Sequence, residues 1–435
     1  MDLLCPPKSV DPMTVLPREL AETILEYLSF RQRMNACLVS KQWTLFIRSV
    51  PNLWQHLDLS GARRKVRTSY ISLAINIARA RLKAATLNNL YDFDKTLSAL
   101  VKHCPIEELT MLECPLQGES LNRVLARATN LKSLKVLRGS HFNSYGLAPI
   151  LTSLSDTLEA FECAMSGRQA PGCSLPTCAR LKYFSVTFMD SFDHFRLIMD
   201  VPKAFPALET LIVHQDDHSL PRNPPVDLQD CQRLRHLDFQ MNFGAPQLLR
   251  VPKGLTVCKL TSRFPVGLPA SYLPLLEELQ VHGSMAMEGL HVFLDPPADT
   301  NTLQDSVDLS EPTDLRKLSI SSSDSSNSDL KRLVSSSRLK NLVSLCLMRC
   351  LDLDDSSMEL VASTKFEKLR HLDLTGAALT GVGVRDLVTS LNLDTLILNE
   401  CSNVSPDAVE WARSKGVQVK YRISNGFEGR KKVRY

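Results

Sequence analysis

Along most of the chain the apolar residues fall into one recurring phrase, LxxLxL with conservative replacements. It reads IEELTMLEC from Ile106, LKSLKV from Leu131, LEAFEC from Leu158, LKYFSV from Leu181, LETLIV from Leu208 and LRHLDF from Leu234. It continues as LTVCKL from Leu255, LEELQV from Leu276, LRKLSI from Leu315, LVSLCLMRC from Leu342, LRHLDL from Leu369 and LDTLILNEC from Leu393. Weaker copies start at Leu53 and Leu82, and GVQVKY from Gly416 reads as a terminal strand. In each phrase the last two apolar residues are two apart, so both point to one side of a strand and the residue between them to the other. Polar residues then carry the chain back to the next copy. Several of these return segments, among them SLNRVLARATN, SDLKRLVSSS, SSMELVAST and PDAVEWARSKG, have the spacing of an amphipathic helix.

From Leu53 to Leu393 the phrase recurs over 340 residues at a mean interval of about 26, the period of leucine-rich repeats. One such unit cannot bury its own apolar edge, whereas stacked units share a core and a parallel sheet. The predicted fold is therefore α/β, a leucine-rich-repeat solenoid or horseshoe with a parallel concave sheet. Between Leu158 and Leu276 the returns contain Pro171, Pro202, Pro206, Pro221, Pro224, Pro225 and Pro252. Proline disfavours helix interiors, so loops are predicted there. The interval from Leu276 to Leu315 is 39 residues, and its excess coincides with the polar, acidic LDPPADTNTLQDSVDLSEPTD, which reads as a flexible insertion near 294–314. Beyond it, ten serines fall between Ser319 and Ser337. That acidic, serine-rich stretch is a candidate for phosphorylation, although Ile320, Leu330, Leu333 and Val334 carry the repeat pattern through it.

Ahead of the first clear repeat, VLPRELAETILEYLSFRQRMNACLVSKQWTLFIRSVPNLWQHLDL has the pattern of a compact three-helix unit. Pro17 suits a first helical position, and Leu20, Ile24, Leu25 and Leu28 mark a face by helical spacing. Ser40 is placed to cap a further helix, whose stripe of Trp43, Phe46, Ile47 and Val50 ends at Pro51. A unit this short leans on the repeats or on a partner.

These residues resemble the F-box, the motif that docks substrate receptors onto the Skp adaptor of SCF-type cullin-RING ubiquitin ligases. The resemblance rests on Leu16-Pro17-x-Glu19-Leu20, Ile24-Leu25-x-Tyr27-Leu28, Val39-Ser40-x-x-Trp43 and Leu53-Trp54. Where the family often has Asp-Leu in the second helix, this chain has Arg33-Met34. The resemblance implies an adaptor-binding surface drawn from Leu16, Pro17, Leu20, Ile24, Leu25, Tyr27, Leu28, Val39 and Trp43. It also implies a non-catalytic subunit without cofactor, partnered by the Skp adaptor, a cullin scaffold and a protein substrate destined for ubiquitination. The domain order that follows is a flexible N-terminus at 1–14, an F-box at 15–60, leucine-rich repeats at 61–419 and a basic tail at 420–435. Cys114, Cys350 and Cys401, after LxxLxLxx, match the cysteine-containing kind of repeat found in that family, as small buried hydrophobes. The C-terminal GRKKVRY also gives the chain a resemblance to fungal F-box repeat proteins linked to replication and genome maintenance.

Composition narrows the classes further. Apolar residues at 44% and charged residues at 23% are ordinary globular usage. Neither a long apolar span nor a secretory leader is evident, so the nucleus, the cytoplasm or both are expected. The twelve cysteines contain no CxxC pair and read as reduced thiols. Net charge is only +4, but Val15 to Tyr70 holds nine Lys/Arg against four Asp/Glu, and Lys420 to Tyr435 six against one. Basic ends of this kind offer an alternative, a repeat scaffold outside any ligase that contacts nucleic acid or chromatin. No nucleophile elbow or phosphate loop is present, and HQDDH from His214 lacks the helical HExxH context of a zinc site. The alternate strand positions predict the substrate face instead: Tyr183, His214, His236, Asp238, Gln240, His282, His371 and Asp373. The pair LRHLD at Leu234 and Leu369 is either a shared ligand-reading device or a mark of repeat ancestry.

Overall fold

The structure is a computed structural model that describes residues 11–61, 68–90, 92–114, 118–137, 144–166, 174–189, 195–215, 225–241, 249–262, 273–283, 290, 293–294, 313–321, 327–364 and 366–423. The insertion's 295–312 and the tail's 424–435 lie outside the described residues, as do residues 216–218 of HQDDH. The chain divides into two compact units, Met1–Phe184 and Ser185–Tyr435.

The first unit opens with helices α1 (Pro12–Val15), α2 (Arg18–Glu26), α3 (Phe30–Ala36) and α4 (Lys41–Ser49). Helix α1 falls partly inside the stretch assigned above to a flexible N-terminus. Asp11 caps it, accepting from the Met13 amide at 2.9 Å, and the Trp43 indole donates to the same carboxylate at 2.9 Å. The helical module therefore includes Asp11. Pro17 stands one place earlier than predicted, as the N-cap of α2. Ser40 caps α4 as predicted, accepting from the Trp43 amide at 3.1 Å. Ala21, Leu25, Ala36, Ile47, Val50, Leu53 and Trp54 form the module's core. Within it the Trp54 indole donates to Ile47 O at 2.8 Å and meets the Phe30 ring edge-on.

Repeats follow as short strands paired in parallel: His56–Asp58, Ala84–Asn88, Glu108–Leu112, Ser133–Leu137 and Ala160–Met165. Register keeps like positions together, so Leu57, Ala85, Leu109, Leu134 and Phe161 form one buried row. Helices Thr68–Ala78, Phe93–His103, Gly118–Leu125 and Ser144–Ser153 return the chain. Just ahead of the strands runs a ladder of alternating charge. Glu107 lies 4.0 Å from Lys83 and 2.7 Å from Lys132, and Glu159 lies 3.7 Å from Arg180 and 3.9 Å from Lys182. These exposed pairs each contribute at most about 1 kcal/mol, but opposite charges on adjacent strands favour the native register.

In the second unit the strands Thr210–Gln215, His236–Met241, Val257–Ser262, Glu278–His282 and Lys317–Ser321 pair in parallel in that order. Ser344–Met348, His371–Asp373, Thr395–Ile397 and Gln418–Lys420 continue the series. Helices fill the predicted returns at Asn327–Val334, Asp355–Ser363 and Pro406–Ser414, and a further one spans Gly381–Ser390. The loop expectation fails at one proline-rich return, where Phe195–Ala204 is helical with Pro202 inside it. Pro202 sits near the end of that helix, while Ile198 and Val201 are buried against the core. Burial there outweighs the lost amide. The two successive returns on either side of His236–Met241 each contain a two-residue strand, Val226–Asp227 and Leu249–Arg250, and these two pair in parallel.

Turns after the strands share one device. Glu113, Arg349 and Glu400 adopt positive φ, and the next residue in each case is a buried cysteine. Cys114 Sγ donates to Leu112 O at 3.2 Å and Cys401 Sγ to Leu374 O at 3.1 Å. The cysteine is thus a donor, within its own turn at Cys114 and to the preceding repeat at Cys401, as well as a small hydrophobe. Burial pushes the Cys114 thiol up to about 11 and those of Cys231 and Cys258 to about 12, so they stay protonated and unreactive. Gly383 has a packing reason, since a Cβ there would lie 2.6 Å from Asp355 Oδ1, which accepts from the Gly383 amide.

Asp354 caps the helix Asp355–Ser363 and supplies a test by pH. Hydrogen bonds from the Ser356 hydroxyl and the Ser357 amide hold its carboxyl at about 2. A lowered folded value stabilises the fold above the ordinary aspartate range, and this contribution is lost as pH falls from about 4 toward about 2. In acid unfolding followed by circular dichroism, wild type is expected to exceed Asp354→Asn in stability at pH 5. The margin should close by pH 2, and a constant margin would refute the assignment.

Candidate functional site

Two surfaces stand out, one on the helical module and one on the second unit's sheet. On α2 and its C-cap, Leu20, Ile24 and Tyr27 follow one another at helical spacing and project into solvent, Tyr27 at 87% exposure. Pro17 and Val39 are exposed, whereas Leu16, Leu28 and Trp43 are half-buried. Leu25 departs from the predicted surface. At 1% exposure it faces inward with Ala21, because neighbouring residues on a helix point about 100° apart and Ile24 takes the outer side. Sequence reasoning missed Val15, Leu38 and Leu45, all exposed. Their signal was an apolar residue in a turn or on the polar side of a helix. Among the described residues, seven of the fourteen exposed large hydrophobics lie between Val15 and Leu45.

Arg33 takes no part in this face. Its Nε donates to Leu28 O at 3.0 Å and its Nη1 to Leu53 O, tying α3 to the segment that leads into the first strand. Burial lowers its pKa from the usual arginine value. The guanidinium is an internal strut.

On the second unit's sheet the alternate positions form rows. One runs Thr210, His236, Val257, Glu278, Lys317, Ser344, His371 and Thr395, and another Ile212, Asp238, Lys259, Gln280, Ser319, Cys346, Asp373 and Ile397. His214, Gln240 and His282 share a third row. These predicted residues lie on one open face, while Tyr183 belongs to the first unit.

His214 Nε2 is 3.8 Å from Asp238, and His282 Nε2 is 2.8 Å from the Ser319 hydroxyl. Burial lowers the pKa of His282, and burial followed by nearby Lys259 lowers that of His236. Near neutral pH both imidazoles are therefore uncharged hydrogen-bonding groups. Glu278 lies 3.6 Å from Lys259 and 3.5 Å from Lys317.

Gln280, Lys317, Ser319, Cys346, His371 and Asp373 line an open hollow of about 250 Å³. Burial pushes the Cys346 thiol up to about 12, so it presents no ready thiolate. The two LRHLD copies occupy matching row positions in different settings. His236 is half-buried beside a lysine, whereas His371 is exposed and Asp373 is engaged by the Thr375 amide and hydroxyl. That contrast fits repeat ancestry better than a shared ligand.

Among the described residues no three His, Cys, Asp or Glu side chains could hold a metal ion. No helix among them is long and apolar enough to cross a membrane.

Residues 13–60 match the F-box-like family. No curated protein matches the chain. Among solved structures it is similar to a chain of the Rad7 and Elc1 complex in yeast, at 16% identity and TM-score 0.43, over 95% of this chain and 91% of that one. It is also similar to an internalin of Listeria monocytogenes, at 15% identity and TM-score 0.41, over 80% of this chain and 88% of that one.

Proposed function

From an F-box-like domain set ahead of leucine-rich repeats, we infer that this chain is a substrate-recognition adaptor of an SCF-type ubiquitin ligase. The single observation that carries the inference is the concentration of exposed apolar side chains between Val15 and Leu45. Such a cluster is unfavourable in water and marks a surface that a partner covers. The Skp adaptor is that partner, and a cullin joins through it.

The repeats would then hold a protein substrate on the open sheet face, where neutral His236 and His282, paired Lys317 and Glu278 and the hollow beside Cys346 offer hydrogen bonds and ion pairs. No group on this chain needs to react. Tethering raises the effective concentration of substrate lysines near the conjugating enzyme, and orientation lowers the entropic cost of transfer.

The test is co-purification with the Skp adaptor and cullin. Wild type is expected to capture both, and a Leu16→Ala, Pro17→Ala variant with unchanged thermal unfolding to capture neither. Absence of capture by the wild type would overturn the ligase reading and leave a repeat scaffold.

A further inference from the structure

Three arginines converge on one hollow in the first unit. Arg48 lies in the last turn of α4, and Arg79 and Arg81 directly follow the helix Thr68–Ala78. With Leu73 and Asn76 they line an open hollow of about 530 Å³ whose lining contains no carboxylate. Arg81 Nη1 donates to Arg48 O at 3.1 Å, and Arg79 Nη2 lies 3.2 Å from His103 Nδ1. The first contact joins the end of the helix Thr68–Ala78 to the end of α4 and the second joins it to the end of the helix Phe93–His103, and neither neutralises a charge.

Elsewhere in the unit Lys83, Lys132, Lys182, Arg18 and Arg180 each face a glutamate. Among the described residues no ion pair joins Arg48, Arg79 or Arg81 to a carboxylate. A helix C-terminus favours one basic residue by its dipole. It does not account for two ends turned into one hollow.

The hollow also continues the apolar face. Leu45 and Arg48 are three residues apart on α4 and share one side of that helix, and both are exposed. Leu73, 44% exposed, lies in the hollow's wall. A nucleic-acid backbone would meet the arginines but leave Leu45 and Leu73 in water. A protein segment carrying carboxylates beside aliphatic side chains satisfies both.

We propose that this hollow receives an acidic segment of the protein that docks on the apolar α2–α4 face, its carboxylates facing Arg48, Arg79 and Arg81 and its aliphatic groups covering Leu73. The proposal rests on the docking reading above. Charges at such a rim act mainly on association rate and salt dependence.

The experiment titrates the full chain with the Skp adaptor by calorimetry at low and high salt, using wild type, R48Q/R79Q/R81Q and R48E/R79E/R81E, each checked by thermal unfolding. Affinity is expected to fall roughly tenfold at low salt in the glutamine variant and further in the glutamate variant, with a flatter salt dependence. Equal affinity and equal salt slope in all three would overturn the proposal while leaving the docking reading intact. If the adaptor binds none of them, the docking reading fails, and the hollow is judged by a polyglutamate peptide and a DNA duplex. Polyglutamate binding lost in both variants keeps the acidic-segment assignment. Binding of the duplex alone, or of neither probe, overturns it.

Discussion

Replacing Ile24 and Tyr27 together by aspartate is expected to abolish binding of the Skp adaptor while leaving the fold intact. Both side chains are exposed on one side of α2 and its C-cap, so their loss removes little packing within the chain. Surface changes of this kind usually move stability by no more than about 0.5 kcal/mol. At an interface, anchoring aromatic and aliphatic residues contribute about 2–4 kcal/mol each. Losing two of them weakens affinity by a factor on the order of 1,000 or more. The neighbouring Leu25→Asp should behave differently, because a carboxylate would enter the module's buried core and unfold it. Calorimetry and thermal unfolding on the same preparations separate the outcomes. An Ile24/Tyr27 variant that binds like wild type would remove α2 from the interface.

Loss of the Arg338 side chain should destabilise the second unit severely. That side chain is buried at 2% exposure. Its Nη2 donates to Leu276 O at 3.0 Å, Thr313 O at 3.2 Å and Pro274 O at 3.5 Å, and its Nε to Thr313 O at 3.3 Å. The Thr313 amide also donates to Pro274 O at 2.9 Å. Together these bonds clamp the two ends of the long interval between Leu276 and Leu315, so that Glu278–His282 and Lys317–Ser321 pair as consecutive strands. Arg338→Met would leave buried carbonyls without donors, at a cost of about 3–5 kcal/mol. Arg338→Lys should recover only part of this, because an ammonium lacks the planar fork that reaches several acceptors. Urea unfolding against Arg332→Ala, an exposed control on the preceding helix, measures the difference. Equal midpoints for the Met variant and the control would contradict the clamp.

The parts of this molecule legible in the sequence are those written in local periodicity. Two apolar residues two apart state which side of a strand is buried, and the strands from Glu108–Leu112 to Thr395–Ile397 follow that pattern. Spacing on α2 reveals an apolar helix but not which side faces inward, so it does not separate buried Leu25 from exposed Ile24. The charge at Arg33 carried no local sign that its partners are the carbonyls of Leu28 and Leu53. Arg338 is more extreme, since the carbonyls it holds lie up to 64 residues away. The alternation of Lys83, Glu107, Lys132, Glu159 and Lys182 was readable one place after each first apolar residue. Its meaning appears only when successive strands lie side by side.

If the Skp adaptor covers the helical module and leaves the sheet face free for substrate, amide hydrogen exchange on the full chain, with and without the adaptor, will register it. Slowed exchange is expected in α2, in the turn at Leu38 and Val39 and in α4, with the strands of the second unit unchanged. Unchanged exchange across residues 16–49 at saturating adaptor, or slowing confined to the second unit's strands, would contradict it.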